Sequence, residues 1–173
     1  MNKLISKEER IHELTRFGAP ELFINSIGKI PELQFHVENV DGAYFYLPQI
    51  SNYEIIKNLN LIPIFSSGES FYVFTYDHQT QRIINFELEN DEIYDDYGTN
   101  WNLLLMDIMI QYFESEIDDG IEISDFKSVG EKIDFDKAEK LFKLLDLPVE
   151  EYNAKYDEKE KWRIDMAKQL KIL

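Results

Sequence analysis

Carboxylates and tyrosines alternate in a short segment in the middle of this 173-residue chain. Several carboxylates so close together can bind Ca²⁺, act as an acid–base pair on a sugar, or pair with the basic side chains of a protein. The segment lacks the glycine and glutamate positions of an EF-hand. Because carboxylates are abundant throughout the chain, a pair of them is weak evidence for acid–base catalysis on a sugar. Interleaved tyrosines favour protein binding, although ordinary packing of the two rings is the alternative. The segment contains Asp91, Glu92, Tyr94, Asp95, Asp96 and Tyr97.

Other residue types capable of chemistry are scattered. His12, His36 and His78 fall in three different predicted elements and lack the spacing of metal ligands. The segment 67–70 is not a nucleophile elbow, which needs glycine on both sides of the serine. The seven glycines form no phosphate-binding loop, and there is no cysteine. We therefore predict no catalytic residues, no metal site and no cofactor, and hence no enzyme.

The negative charge is concentrated in one part of the chain. Of the formal net charge of −16, residues 1–29 contribute +1 and residues 127–173 contribute nothing. Residues 30–126 carry 19 acids and only two bases, Lys57 and Arg82. Carboxylates without local counterions repel one another and weaken the fold. The segregation predicts a surface that steers a basic partner protein and is repelled by nucleic acid and anionic membranes. An acidic face that serves only solubility is the alternative.

The hydrophobic pattern predicts helices at both ends of the chain and strands between them. Ser6 and Glu9 form a capping box for a first helix. A second, short helix follows Pro20, with Leu22, Phe23 and Ile27 facing inward. Turn residues and alternation predict a hairpin and three further strands. The hairpin comprises 34–38 and 43–47, a short helix follows at 52–59, and the strands are 61–65, 70–76 and 82–89. Alternation in the last strand predicts a solvent face with Asn85, Glu87 and Glu89.

The last third of the chain is predicted to be helical. Residues 101–116 form the strongest helix signal, with polar residues including Asp107 on one narrow wet stripe. After a polar loop or strand over 118–130, a helix over 135–145 capped by Asp134 and a helix over 150–172 form a C-terminal pair. We predict an α+β domain over residues 1–126, with a mixed or antiparallel sheet of about five to six strands packed by helices. Residues 127–173 would be a C-terminal helical appendage packed on the same domain.

Compartment signals point to the cytoplasm. The first ten residues are charged and contain no apolar segment of a secretory signal. The longest purely aliphatic run, 103–106, is far shorter than the roughly 20 residues that a membrane span needs. The absence of cysteine fits a reducing compartment.

The order of motifs resembles the SUKH superfamily, which includes bacterial toxin-immunity proteins and a domain of yeast cell-wall regulators. The resemblance covers residues 20–117. It rests on a leucine–proline entry to a short helix, a strand with a glycine turn, a hairpin, an acidic loop and a following helix. These motifs are Leu47-Pro48, Leu61–Phe65, Ser66-Ser67-Gly68, Phe71–Phe74, Asp77-His78, Ile83–Leu88 and Trp101–Phe113.

The resemblance implies an α+β fold and a non-catalytic immunity protein that binds and neutralises a cognate toxin, often a nuclease. Nuclease toxins are typically basic because they bind phosphate, which agrees with the acidic segment found above. We expect the partner-binding residues to be Glu87, Glu89, Asp91, Glu92, Tyr94, Asp95, Asp96 and Tyr97, with Asp118 and Asp119 as outer members.

Two other functions stay open from the sequence. A general interaction or regulatory module of the same fold would have no toxin encoded beside it. An enzyme acting on a cationic small molecule would need a deep pocket with strongly shifted carboxylates. The sequence leaves the oligomeric state open between monomer and homodimer.

Overall fold

The structure, a computed structural model, describes residues 2–173. In this part of the chain it contains eight α-helices and a five-stranded mixed sheet, which confirms the predicted α+β class. Backbone contacts divide the chain into two compact units, the first ending at Trp101 and the second running from Asn102 to Leu173. The sheet lies in the first unit, and the second unit is helical. The predicted domain limit at residue 126 stays a prediction.

The strands follow one another across the sheet in sequence order. β1 pairs with β2 in parallel, and β2 through β5 are antiparallel neighbours. The first unit contains β1 (Lys3–Leu4), α1 (Lys7–Arg16), α2 (Glu21–Ser26), α3 (Asp41–Tyr46), β2 (Asn60–Ser67), β3 (Ser70–Tyr76), β4 (Gln81–Glu87) and β5 (Asp95–Gly98). The remaining helices are α4 (Trp101–Glu116), α5 (Ile123–Lys132), α6 (Ala138–Leu145), α7 (Val149–Tyr156) and α8 (Lys159–Gln169).

Several predicted elements match the structure. The Ser6 hydroxyl accepts a hydrogen bond from the Glu9 amide at 3.3 Å, so the capping residue of α1 is the predicted one. Strand 70–76 and helix 101–116 have the predicted limits. In α2, Phe23 is buried as expected, whereas Leu22 is 57% exposed and does not face the core.

The predicted hairpin over 34–38 and 43–47 is wrong. Residues 41–46 form α3, and the first segment contributes only an isolated bridge from Glu38 to Ser66. The Asn39 side chain accepts from the Asp41 amide at 2.9 Å, which begins a helical turn. Ala43 and Leu47, four residues apart, are then both buried on one side. Helical spacing of the apolar residues therefore prevails over the alternation that suggested a strand.

Other predicted elements also differ from the structure. Residues 52–59 form successive turns rather than a helix, and residues 123–132 form α5 rather than a loop or strand. The predicted terminal helix over 150–172 is broken between α7 and α8 at Asp157 and Glu158. Helix α6 begins at Ala138 instead of residue 135, and Asp134, expected as its cap, has a φ of 63°.

Strand β2 contains a one-residue irregularity. Pro63 lies opposite Val73, and Phe65 lies opposite Tyr72, so Ile64 is an extra residue in the ladder. Strand β1 covers β2 only as far as Leu61. The carbonyls at the bulge are bonded instead by the side chain of Arg10, which is 6% exposed. Its Nε donates to Pro63 O at 2.6 Å, and its Nη2 donates to Ile64 O. Burial lowers the pKa of this guanidinium.

The sheet is buried on both faces. On one face, Phe71 and Val73 of β3 pack with Ile84 of β4 beneath the buried side chains of α3. On the other face, Phe65 stacks on Tyr72 with ring centroids 4.2 Å apart. Phe74 lies there between Phe17 at 4.5 Å and Trp101 at 6.0 Å, in a second set of ring contacts. Covered faces of this kind produce continuous apolar strands rather than alternating ones.

The exposed residues of β4 differ from the predicted solvent face. Residues 85, 87 and 89 were predicted to lie on a solvent face. Asn85 is 5% exposed, and its amide donates to Ser70 Oγ at 2.7 Å and to Phe71 O at 3.3 Å. Only Glu87 and Glu89, at and beyond the strand end, are exposed. The glutamates are therefore solvent-accessible because the strand ends there, and not because one sheet face is wet.

The second unit is held by an aromatic cluster and a charged pair. Phe113 of α4 contacts Phe142 of α6 at 5.6 Å and Phe126 of α5 at 6.0 Å between ring centroids. Asp107 of α4 accepts from Arg163 Nε and Nη2 at 2.7 and 2.8 Å. The Asp107 side chain is only 12% exposed, so its predicted place on a wet stripe is wrong. A bidentate partner compensates for its burial.

Replacing Arg10 with methionine should destabilise the protein by about 2–3 kcal/mol, because two carbonyls at the bulge would lose their donors. Chemical denaturation of the purified variant would measure the change. Arg16→Met is the matched control on the same helix. Arg16 is 55% exposed and pairs with Glu13, so its loss should cost below about 1 kcal/mol. Equal losses for both variants would contradict the role assigned to Arg10.

Gly130→Ala should destabilise the second unit by about 1–3 kcal/mol, since a Cβ there would lie 2.5 Å from the Ala138 Cβ and 3.1 Å from Phe135 O. Gly42→Ala, inside α3, is the control, because its Cβ would meet only Ser66 Oγ, at 3.5 Å. Alanine's helix propensity makes that change neutral or stabilising. Thermal melts of both variants would show the contrast, and a Gly130→Ala protein as stable as the parent would refute the close packing.

Candidate acidic docking site

The β4–β5 connection, residues 88–94, lies at the end of the sheet where β3 begins. Glu87 is opposite Ser70 in the ladder, and the Leu88 amide donates to Glu69 O at 3.0 Å. The β2–β3 turn and the β4–β5 connection therefore share one end of the sheet. We call its four exposed glutamates, Glu69, Glu87, Glu89 and Glu92, the acidic sheet end. Within residues 2–173, none of their carboxylates has a hydrogen bond or an ion pair.

Asp91 anchors the connection instead of serving as a free charge. Its two carboxylate oxygens accept from the backbone amides of Glu54 and Ile55 at 2.9 and 3.2 Å. These bonds join the β4–β5 connection to the turns that precede β2. Asp91 therefore fixes where the neighbouring glutamates stand, and its charge is shared with two donors.

Asp96 is the counterion of Arg82. Its Oδ2 accepts from Arg82 Nη1 at 2.9 Å, while its Oδ1 accepts from the Gly98 amide at 2.9 Å. The Arg82 Nε is buried and has no hydrogen bond within residues 2–173. The Asp96 carboxylate is therefore all the more important for stabilising the Arg82 guanidinium. Asp95 lies half-buried opposite Asn85 in β5. Both aspartates thus belong to the structured strand rather than to an open loop.

The two tyrosines differ in exposure. Tyr94 is 48% exposed, and its hydroxyl accepts from Asn90 Nδ2 at 2.5 Å. Tyr97 is 4% exposed and belongs to the core, which is the packing alternative weighed from the sequence. Only Tyr94 offers a ring to an approaching protein.

Asp118 and Asp119 are exposed and lie on a short 3-10 turn of the second unit. The acidic sheet end, by contrast, belongs to the first unit.

The two bases of residues 30–126 are both already paired. Lys57 lies 2.6 Å from Glu54, and Arg82 is bonded to Asp96. Asp77, at the opposite end of the β3–β4 hairpin, accepts from the amides of Gln79 and Thr80, and these bonds lower its pKa. Several acids of residues 30–126 are therefore stabilised by internal partners, whereas the glutamates of the acidic sheet end are not.

Glu69 was missed from the sequence, although the pattern contained a signal for it. The apolar strand 70–76 and the strand after it, joined by a tight turn, predict a register that places the start of one beside the end of the other. That register brings residue 69 to the glutamates at 87 and 89. This proximity depends on strand register, which the order of the acids along the chain does not contain.

Neither a metal cluster nor a membrane-spanning helix is found in the described part of the chain. No group of three or more potential ligands among residues 2–173 could hold a metal ion. None of the helices in the same range has the length and apolar character to cross a bilayer.

Comparisons with known proteins returned no significant match to a family model, a curated protein or a solved structure. The resemblance to the SUKH superfamily therefore stays a prediction.

Asp91→Ala should lower the free energy of unfolding by about 1 kcal/mol, because two backbone amides would lose a charged acceptor. The matched control, Glu92→Ala, removes the same charge from the next position, whose side chain has no bond within residues 2–173. That change should be neutral or slightly stabilising, since it relieves repulsion among like charges. Urea denaturation of the two variants would separate an anchoring carboxylate from a free one, and identical stabilities would contradict the distinction.

Proposed function

We propose that this protein is a non-catalytic immunity protein of the SUKH type, which binds and neutralises a basic toxin through the acidic sheet end and Tyr94. The toxin would be of the nuclease class, and the complex would form in the cytoplasm of the producing cell. The observation that carries the proposal is a group of four exposed glutamates at one sheet end with no internal counterion.

Charge is the first line of support. Exposed like charges at one place repel each other and cost stability. Their presence therefore favours a role in binding a partner. A protein that binds nucleic acid needs a cationic surface for phosphates. Glutamates can occupy such a surface in place of phosphates, and they also accelerate the encounter of oppositely charged proteins.

Rigidity is the second line of support. Asp91 fixes the β4–β5 connection to the turns before β2, and Glu87 ends a strand whose neighbours are buried. A surface held in this way loses little conformational freedom when a partner binds. Tyr94, half-exposed beside the glutamates, supplies aromatic contact area of the kind enriched at binding hot spots.

The proposal narrows the set of contact residues expected from the sequence. Glu87, Glu89, Glu92 and Tyr94 remain, and Glu69 joins them. Asp91 holds the β4–β5 connection and Asp96 pairs with Arg82, Asp95 lies half-buried in β5, and Tyr97 contributes to the core. Asp118 and Asp119 remain outer candidates.

The test is direct binding between this protein and the purified product of the gene next to its own, followed by calorimetry. The triple variant Glu87→Lys, Glu89→Lys and Glu92→Lys should weaken that binding by about a hundredfold or more, since each reversal turns attraction into repulsion. Association of the parent protein should slow steeply between low salt and about 0.5 M salt, where the Debye length falls to a few Å.

The matched control reverses three exposed acids of the second unit, Glu131→Lys, Asp146→Lys and Asp165→Lys. It changes the net charge by the same amount and should alter the affinity by less than about threefold. Equal losses in both triple variants would mean that only overall charge matters. Failure of the neighbouring gene product to bind would reject the toxin partner and favour a general interaction module.

A further inference from the structure

A small pocket in the second unit combines a carboxylate with two aromatic rings. It lies between the end of α4, which contributes Glu114 and the following Ile117, and α7, which contributes Tyr152, Asn153 and Tyr156. Its volume is about 270 Å³, below the range of roughly 300–1,000 Å³ found for pockets of drug-sized ligands. The size favours a single side chain over a whole small molecule.

Helix periodicity explains why these groups meet. Tyr152 and Tyr156 are four residues apart and share one face of α7, with ring centroids 6.2 Å apart and planes at 20°. Tyr152 also packs against Phe113, with ring centroids 6.3 Å apart, and against Trp162 in an edge-to-face arrangement with ring centroids 5.3 Å apart. The two rings thus form a firm aromatic wall beside Glu114.

Glu114 is a half-buried carboxylate at the edge of this pocket. Its carboxylate has no hydrogen bond or ion pair within residues 2–173, whereas Asp107, on the same helix, is bonded twice by Arg163. Burial raises the pKa of Glu114, with Asp107 raising it further and Lys159 opposing. Burial and the nearby Glu114 charge also raise the pKa of Tyr152 to about 12. A half-buried carboxylate beside neutral aromatic rings attracts a cation.

The chain already places one of its own cations against this wall. The Lys159 ammonium lies 5.3 Å from the centroid of the Tyr156 ring, and it interacts electrostatically with Glu114. Lys159 itself is exposed and makes no ion pair within the described residues. Its position shows that a cation can lie against the Tyr156 ring near Glu114.

We propose that this pocket binds a lysine side chain of a partner protein. The ammonium would bind to Glu114 and the faces of the tyrosines, and the methylene stem would lie against Ile117. A lysine from a partner would displace Lys159, which competes for the same position. The proposal is independent of the acidic sheet end, because every residue in it belongs to the second unit.

The probe is Nα-acetyl-lysine N-methylamide, titrated into the full chain and followed by amide NMR shifts. The neutral control is Nα-acetyl-norleucine N-methylamide, which has a similar stem without the ammonium. We expect saturable shifts at Glu114, Tyr152, Asn153 and Tyr156 with the lysine probe alone. Equal shifts with both probes, or none with either, would overturn the proposal.

Two variants should move the affinity in opposite directions. Glu114→Gln should weaken lysine binding by about tenfold, because a charge-assisted contact is lost. Lys159→Gln should strengthen it roughly two- to fivefold, because the competing cation is removed. Weaker binding by the Lys159→Gln variant would contradict competition, and unchanged binding by Glu114→Gln would contradict a carboxylate site.

Further controls separate the pocket from folding and from the acidic sheet end. Glu114→Gln should be at least as stable as the parent at neutral pH. Because burial raises the pKa of Glu114, its protonated carboxyl stabilises the folded state at pH values below its unfolded pKa, and this contribution is lost as the pH rises through the folded pKa. Tyr156→Leu gives a second variant that weakens the wall. The triple reversal at Glu87, Glu89 and Glu92 should leave lysine binding intact, and its loss there would reject the separate site.

Discussion

The bond between Arg10 and the bulge of β2 is the constraint on which the first unit depends. The extra residue Ile64 moves Phe65 to the opposite face of the sheet from the one that it would occupy in an uninterrupted ladder. Phe65 can then stack on Tyr72 and meet Phe23 of α2, which builds the second apolar face. The bulge leaves backbone carbonyls that buried Arg10 satisfies. One guanidinium thereby joins α1 to the sheet and allows the sheet to be covered on both sides.

The negative charge of the first unit is divided between structural and free carboxylates. Asp77, Asp91 and Asp96 accept hydrogen bonds from backbone amides or from Arg82, so their charges are stabilised within the fold. The glutamates of the acidic sheet end lie at strand ends and turns, where the described residues provide no donor to their side chains. Aspartates with short side chains reach neighbouring amides, whereas these glutamates extend into solvent. The division explains how an acidic protein retains a rigid surface whose charge is still available to a partner.

The second unit also contains a buried, paired carboxylate, and beside it a half-buried carboxylate with no hydrogen bond or ion pair among the described residues. Phe113 joins α4 to the helices around it, and the Asp107–Arg163 pair joins α4 to α8. Paired in this way, a charge can be buried without a large penalty. Glu114, in the last turn of α4, lacks such a partner and lies beside the tyrosines of α7. A half-buried charge without a counterion costs stability.

The sequence by itself determined the fold class, the first helix and its cap, the central strand 70–76, helix 101–116 and the segregation of charge. These features depend on residues within a few positions of one another, and local pattern records such neighbours. Tertiary structure decided that Tyr97 is buried and that Asp91 and Asp96 bond to groups 37 and 14 residues away. It also brought Glu69 beside Glu87 and Glu114 beside Tyr152. Such pairings depend on strand register, on the bulge in β2 and on helix packing, and no window of neighbouring residues contains them.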